Sequence, residues 1–236
     1  MCYFVEQNIP RKELEKRFGL PMPEDPRYVP GYFHSAFAKP YLPVITSDDP
    51  GIIRVYQWGL IPSWVRDSET AEKIRNSTIN ARSETVWEKP SFRSAIKSRR
   101  CLVIAHGFFE YHTDGNKKIP YYIKMKNDSV FSFAGLFESW TNPQTGEIRN
   151  TFSILTTEAN PLLEKIHNLK KRMPVILSES NHKQWLQKNI EKSAIDSLLI
   201  PYPENEMNAY TVSGKIARRD ADISDPSLIE FYNYDK

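Results

Sequence analysis

Short apolar runs separated by polar breaks fill the middle of the chain, and they have the length of β-strands. Residues 52–58 alternate apolar and polar side chains, which is typical of a half-buried strand. Residues 101–105 are continuously apolar, and residues 108–112 follow the break at Gly107. The pattern predicts further strands at residues 42–46, 121–125, 130–136, 151–156 and 175–177, with a fainter one at 211–216.

Helical spacing of apolar residues is confined to short segments. Leu14 and Phe18 among charged neighbours predict an amphipathic helix over residues 10–20. Asn160 as a cap and Pro161 at the first helical position predict a helix over 160–166. Residues 180–188 are predicted to form a helix that begins at a serine cap, and residues 66–77 a loop or a weak helix. Residues 21–51, rich in Pro and Gly, are predicted to run over the surface apart from the strand at 42–46.

Strands dominate the middle of the chain and helices occur at intervals, without strict strand–helix alternation. This order favours the α+β class. We expect a single domain over residues 1–236, in which a curved, mainly antiparallel and barrel-like sheet is flanked by short helices.

Size and composition exclude several classes of protein. With 236 residues, 40% hydrophobic and 26% charged, the chain has an ordinary globular balance and enough length for one sizeable core. It lacks both a run of about 18 apolar residues and the basic, apolar start of a signal peptide. We therefore expect a cytoplasmic protein with Cys2 and Cys101 reduced. The cysteines and histidines show no metal-ligand spacing.

Charge alone does not identify a partner, because a net charge of +3 is mild for a nucleic-acid-binding protein. The basic residues are nevertheless clustered. Each cluster could contact phosphates or could be a solvated surface. The clusters are Arg93, Lys97, Arg99 and Arg100; Lys165, Lys170, Lys171 and Arg172; and Lys215, Arg218 and Arg219.

Cys2 is the first candidate for chemistry. Removal of Met1 would leave a free α-amine beside the Cys2 thiol, and an α-amine has a reference pKa near ~8. Such an amine attacks aldehydes to give an imine. The adjacent thiol can then close on the imine carbon to form a five-membered thiazolidine. The alternative is that Cys2 is simply a small residue packed inside.

Four further stretches accompany Met1-Cys2 along the chain. They are residues 58–64 (WGLIPSW), 79–85 (INARSET), 100–111 (RCLVIAHGFFEY), and 166–167 followed by 172–177 (IH and RMPVIL). In this order, from Cys2 to about residue 215, they resemble the SRAP family of abasic-site processing proteins.

The resemblance implies a specific activity. Members of this family bind single-stranded DNA, especially near a junction with duplex. They trap the ring-opened aldehyde of an abasic sugar as a thiazolidine on the N-terminal cysteine. They are also described as thiol autopeptidases that release the initial methionine, and crosslink reversal of a lyase type is attributed to them. We accordingly expect a monomer that needs no cofactor or metal, has no membrane partner, and associates with the nucleoid when bound to DNA.

The resemblance also assigns roles to residues. Cys2 would be the nucleophile, and Glu110 a general acid/base whose aromatic neighbours should raise its pKa. Asn80 would orient the attack, and His167 would assist ring opening and reversal. The DNA-binding candidates are Arg82 and Arg172 for phosphates and Trp64 for base stacking.

The chain departs from the family pattern at four places. Tyr3 and Phe4 follow the cysteine, where Gly and Arg are usual. His106 stands where Asp is usual, and Val65 follows Trp64 where some relatives have a second tryptophan. The interval from His167 to Pro174 is longer than usual.

Other interpretations of the same residues remain. Cys2, His167 and Glu110 could form a Cys–His peptidase without a role at DNA lesions. The chain could also be a non-catalytic single-stranded DNA-binding module. Individually, Glu110 could be a surface carboxylate on a strand, Asn80 and Arg82 a polar turn, and Trp64 a core residue.

Overall fold

Strands dominate the computed structural model, which describes residues 2–218 and 221–234. In these residues the strands are β1 (Phe4–Gln7), β2 (Gly31–Ser35), β3 (Tyr41–Thr46), β4 (Arg54–Trp58), β5 (Asn80–Arg82), β6 (Arg100–Ala105), β7 (Gly107–Asp114), β8 (Lys117–Met125), β9 (Phe131–Thr141), β10 (Ile148–Glu158), β11 (Arg172–Pro174), β12 (Ile176–Leu177) and β13 (Met207–Thr211). The α-helices are α1 (Arg11–Phe18), α2 (Ser68–Ser77), α3 (Ala95–Ser98), α4 (Pro161–Ile166), α5 (Glu179–Leu186) and α6 (Lys192–Asp196).

Five strands close into a barrel, in the order β10–β4–β3–β6–β9 and back to β10. All of these pairings are antiparallel except that of β10 with β4. Strand β10 extends beyond the ring, where it pairs with β5 in parallel and with β11 in antiparallel orientation. The predicted α+β class and the barrel-like, mainly antiparallel sheet are therefore confirmed.

A second sheet has the strand order β13–β8–β7–β1–β2. Strand β1 lies between β2 and β7, with Phe4 opposite Phe109 on one side and Ser35 on the other. Apolar residues from both sheets form one core cluster, which joins Cys2 and Phe108 to Trp58 and Phe133 of the barrel. The chain start is therefore held in the interior, between the two sheets.

Close packing of the sheets explains two of the glycines. A Cβ atom at Gly107 would lie 2.3 Å from the ring of Tyr122, and one at Gly135 would lie 2.8 Å from Cys101 Sγ. Neither separation is possible for a real side chain, so these strands can pack as they do only with glycine at both positions.

Most of the predicted elements are present. The strands predicted at 42–46, 52–58, 101–105 and 151–156 correspond to β3, β4, β6 and β10, and the helix predicted over 10–20 is α1. The side chain of Asn160 caps α4 by accepting from Leu163 N at 2.8 Å, as expected. In the part of the chain described, no helix is both long enough and apolar enough to span a bilayer.

Three local predictions were wrong, those for residues 31–35, for the serine cap of the helix predicted over 180–188, and for the strand at 211–216. Residues 31–35 form β2 instead of running loosely over the surface, because they pair with β1. For residues 66–77 the helix alternative is confirmed, because they contain α2, capped by Asp67. The helix predicted over 180–188 is present as α5, but it follows Ser178, whose side chain makes no capping hydrogen bond. The last strand ends at Thr211, so it precedes the predicted segment 211–216 and shares one residue with it.

The basic cluster at Arg93–Arg100 is not a uniform phosphate-binding surface. Arg100 is fully buried. Its guanidinium donates to the main-chain oxygens of Ile96 and Lys97 and to that of Trp185, each at 2.8 Å. Arg99 is paired with Glu138. Arg100 therefore holds α3 and α5 against the barrel and is unavailable to DNA.

We predict that Arg100→Met destabilises the fold by about 2–4 kcal/mol, because several buried carbonyls lose their donor. Lys97→Met, at an exposed position of the same cluster, should change the free energy of unfolding by no more than about 0.5 kcal/mol. Urea denaturation of the two variants measures the difference. Equal stabilities would contradict this account of Arg100.

Candidate active site

Cys2 lies two residues before the start of β1 and is completely buried. Its main-chain oxygen accepts a 2.8 Å hydrogen bond from Asn80 Nδ2. Asn80 belongs to β5, which is held against β10 by the pairing of Asn80 with Ile154. Asn80 is therefore in a strand and not in a polar turn, and it links the chain start to the barrel.

The carboxyl of Glu110 lies in the interior. Glu110 alternates with Phe109 along β7, so its side chain shares a face with Phe108, which packs in the core cluster of Cys2. The residue is only 4% exposed, so it is not a surface carboxylate. Burial raises the pKa of Glu110 to about 8, and the carboxyl is therefore mostly protonated at neutral pH.

His167 directly follows α4 and faces Glu110. Its Nε2 lies 3.7 Å from Glu110 Oε2, and its Nδ1 lies 2.9 Å from the main-chain oxygen of Arg172. Since a carbonyl oxygen only accepts, the proton of this hydrogen bond is on Nδ1, and Nε2 carries a lone pair. Burial lowers the pKa of His167 to about 4, so the imidazole is neutral at neutral pH.

Asn168 holds this histidine beside β7. Its amide forms two hydrogen bonds with the main chain of Thr113, accepting from the nitrogen at 3.0 Å and donating to the oxygen at 2.8 Å. The residues after His167 turn back sharply, with Lys171 at a positive φ of 49°. The long interval between His167 and Pro174 is thus taken up in a turn, and the histidine stays at the site.

The thiol of Cys2 differs in protonation state from the activated thiol of a cysteine peptidase. Burial, and then the nearby Glu110, raise the pKa of the Cys2 thiol far above its usual range. The pKa of His167 is shifted downward. Both shifts oppose a thiolate–imidazolium pair, which is the activated form of a Cys–His nucleophile. The resting site therefore contains a neutral thiol, a neutral imidazole and a protonated carboxyl.

The three DNA-binding candidates are in different situations. Arg82 is exposed. Burial raises the pKa of the Tyr3 hydroxyl, and the positive charge of Arg82 acts on the same hydroxyl in the opposite direction. Arg172 is paired with Glu84 and donates to the main-chain oxygen of Thr156 at 2.7 Å. Arg82 thus lies near the chain start with its charge available, whereas the charge of Arg172 is already balanced.

Trp64 is 52% exposed, so the alternative of a core position is wrong. Its indole nitrogen donates to the main-chain oxygen of Pro90 at 3.3 Å. Trp64 does not line the cavity beside Glu110 and His167. The structure therefore gathers Cys2, Asn80, Glu110 and His167, while Trp64 lies outside that group.

A cavity of about 500 Å³ lies beside the paired side chains of Glu110 and His167. A second cavity, of about 1010 Å³, shares Phe4, Tyr111 and Ala217 with it. Lys118 and Lys170 line the first cavity and Arg218 the second, whereas Arg219 of the same basic cluster lies outside the described residues. The site is thus continuous with a larger groove.

His106 serves the second sheet rather than this site. Its Nδ1 lies 2.9 Å from Glu6 Oε2, which also accepts a 2.6 Å hydrogen bond from the hydroxyl of Tyr122. These contacts tie β1 to β8. In the part of the chain described, no group of three or more His, Cys, Asp or Glu side chains is arranged to hold a metal ion.

Comparisons with known proteins identify the relatives of this chain. Residues 1–219 match the family described as SOS response associated peptidase (SRAP). The abasic site processing protein YoqW of Bacillus subtilis is 42% identical over 205 residues, which cover 86% of this chain and 87% of that protein. The abasic site processing protein HMCES of Mus musculus is 30% identical over 260 residues, covering 90% and 71% respectively.

A solved structure has the same fold. The crystal structure of a protein from Bacteroides thetaiotaomicron matches this chain with a TM-score of 0.91 at 36% sequence identity. The match covers 98% of this chain and 100% of the other. The architecture that places Cys2 between the two sheets is therefore shared with an experimental structure.

We predict that Glu110→Gln stabilises the protein at neutral pH. The unfolded carboxyl ionises above about pH 4.3, whereas the folded one ionises near pH 8, so folding in this range takes up a proton. Wild-type stability should therefore fall relative to the variant as pH rises through this window. The difference should reach about 2–4 kcal/mol at pH 7.

Urea denaturation at pH 5, 7 and 8.5 measures this difference. Glu158→Gln, at an exposed position of β10, is the matched control and should give no such pH dependence. A difference between Glu110→Gln and wild type that stays constant from pH 5 to 8.5 would show that Glu110 ionises normally.

Proposed function

The chain belongs to the SRAP family, and we propose that it captures abasic sites in single-stranded DNA through the α-amine and thiol of Cys2. The observation that carries this proposal is the burial of Cys2 beside three polar side chains: Asn80, Glu110 and His167. Burying such groups costs free energy unless they are paired or used. A DNA-binding surface alone would not require them there.

The first step is release of Met1. Hydrolysis of the Met1–Cys2 peptide bond consumes one water and frees the α-amine of Cys2. Asn80 Oδ1 is buried and has no hydrogen-bond partner among the described residues. This oxygen is therefore suited to accept a hydrogen bond from the new amine, while Asn80 Nδ2 keeps the adjacent Cys2 carbonyl in place.

The second step is opening of the abasic sugar. The ring oxygen must gain a proton and the C1 hydroxyl must lose one. A protonated Glu110 supplies the first proton, and the lone pair on His167 Nε2 accepts the second. The sugar gains one proton and loses another, so it stays uncharged, and the charges that form on Glu110 and His167 are opposite and adjacent.

The third step forms the crosslink. The α-amine adds to the aldehyde carbon, the proton held by His167 passes to the aldehyde oxygen, and a proton of the amine returns to Glu110. The carbinolamine then loses water with this proton from Glu110, and the N–H proton of the resulting iminium ion returns to Glu110 to leave the imine. The thiol then adds to the imine carbon and its proton passes to the nitrogen. One C–N and one C–S bond have formed and one water has left, and the reverse sequence releases the DNA.

DNA binding is assigned to side chains around this site. Arg82 is exposed near the chain start and would contact a phosphate, and Trp64 would stack on a base. The Arg172 side chain would contact a phosphate only after its ion pair with Glu84 is broken. The main-chain oxygen of Arg172 orients His167 whether or not this ion pair is present. We further propose a monomer that prefers single-strand–duplex junctions and acts in the cytoplasm, at the nucleoid.

A peptidase that acts on other proteins is less well supported. The raised pKa of the Cys2 thiol and the lowered pKa of His167 both disfavour an activated thiolate. They do not hinder attack by the amine. Amine-first chemistry on an aldehyde therefore suits the site better than thiolate attack on a peptide.

We predict that the mature protein, mixed with a single-stranded oligonucleotide carrying one abasic site, forms a heat-stable adduct whose mass equals the sum of both minus one water. Cys2→Ala retains only an imine-forming amine and should give no heat-stable adduct. Cys2→Ser should give a slower or more labile one. Intact mass spectrometry before and after heating provides the readout.

Cys101→Ala is the matched control, because Cys101 is the other free, fully buried cysteine of the described chain. It should form the adduct as wild type does. Full formation of a heat-stable adduct by Cys2→Ala would rule out the thiazolidine mechanism.

A further inference from the structure

We propose that Phe37, stacked on Tyr3, forms a platform for the nucleobase next to the abasic nucleotide. This inference rests on the proposed function and adds a specificity-determining residue to it. It assigns a role to the aromatic pair Tyr3-Phe4, which replaces the Gly and Arg usual in the family.

Aromatic rings form a connected cluster at the chain start. The rings of Tyr3 and Phe37 are stacked, with centroids 5.1 Å apart and planes 29° apart. Phe4 is stacked on Phe33 at 5.1 Å and meets the edge of Tyr111 at 5.8 Å. Phe37 is 57% exposed, so its outer face is open to a ligand.

The position of Phe37 is fixed by the backbone. Phe37 lies in a short 3₁₀ turn at Ala36–Ala38, directly after β2. The nitrogen of Ala36 donates to the oxygen of Tyr3 at 2.8 Å, and Ala36 is itself fully buried. The turn is therefore tied to the residue after Cys2, and Phe37 keeps a constant place relative to the nucleophile.

Phe37 belongs to the groove that continues from the site. It lines the cavity of about 1010 Å³, which adjoins the cavity beside Glu110 and His167. None of the described residues that line the larger cavity is acidic, and three of them are basic: Arg27, Lys39 and Arg218. A polyanionic strand leaving the site can therefore enter this groove without meeting a carboxylate in its lining.

Two of the three basic side chains in the groove are already paired with carboxylates, so base stacking has to supply more of the affinity for DNA. Arg27 is paired with Asp25, and Lys39 with Glu72. Arg218 is exposed. Aromatic faces bind bases of any sequence, and one stacked base contributes about tenfold or more to affinity. Because the abasic nucleotide has no base of its own, the neighbouring base is the first one that can supply this binding.

The test uses single-stranded oligonucleotides with one reactive abasic site. Its neighbours are either adenines or base-free tetrahydrofuran residues, placed on the 5′ side or on the 3′ side. At sub-saturating protein, wild type should crosslink about tenfold more slowly when the base on one particular side is missing. Saturating protein should remove the difference, because the platform supports binding and not chemistry.

Phe37→Ala should crosslink the oligonucleotide with adenine neighbours about tenfold more slowly than wild type, and removal of the neighbouring base should not slow it further. Phe37→Trp should behave as wild type. Phe231→Ala is the control, because Phe231 is also exposed but lines neither cavity. A Phe37→Ala protein that crosslinks normally and still discriminates between the oligonucleotides would overturn the platform.

A second measurement separates this inference from the proposed function. An unreactive tetrahydrofuran lesion flanked by 2-aminopurine reports stacking through its fluorescence. Wild type should change the fluorescence and Phe37→Ala should not; equal changes in both proteins would overturn the platform. Absence of any adduct from wild type on reactive DNA would overturn the proposed function, while the fluorescence would still decide whether Phe37 stacks on a base.

Discussion

The carboxyl of Glu110 is carried by β7 into the interior between the barrel and the second sheet, where burial raises its pKa to about 8. Its neighbours are arranged around this neutral acid. His167 Nε2 faces it as a neutral base, held by the Arg172 main chain and by the Asn168 contacts with β7. The proposed chemistry needs a proton donor and a proton acceptor that are both uncharged at rest, and the fold provides them.

Several elements were predictable because local sequence alone determines them. Asn160 and Pro161 specify the start of α4, and the apolar run at 101–105 specifies β6. Strand β2 was missed because its stability comes from pairing with β1, which is distant in sequence. Barrel closure likewise depends on β10, which pairs with four other strands, and no local pattern reveals such partners.

Cys2 was singled out by its own chemistry and the other members of the candidate site by the family resemblance, but the sequence does not show what surrounds them. Nothing in the sequence shows that Asn168 binds the main chain of Thr113, or that Glu84 balances the charge of Arg172. Arg100 looks like its exposed neighbours in sequence, yet it is buried among main-chain carbonyls. Burial and pairing of charges are tertiary properties, and they decide which basic residues can meet DNA.

In the proposed mechanism, a protonated Glu110 assists the α-amine of Cys2. The most direct measurement is the single-turnover rate of adduct formation from pH 6 to 10 at saturating protein, for wild type and Glu110→Gln. We expect a wild-type rate that falls above about pH 8, and a Glu110→Gln rate that is about 10²-fold slower and does not fall in this way. Equal rates with the same pH profile in both proteins would contradict it.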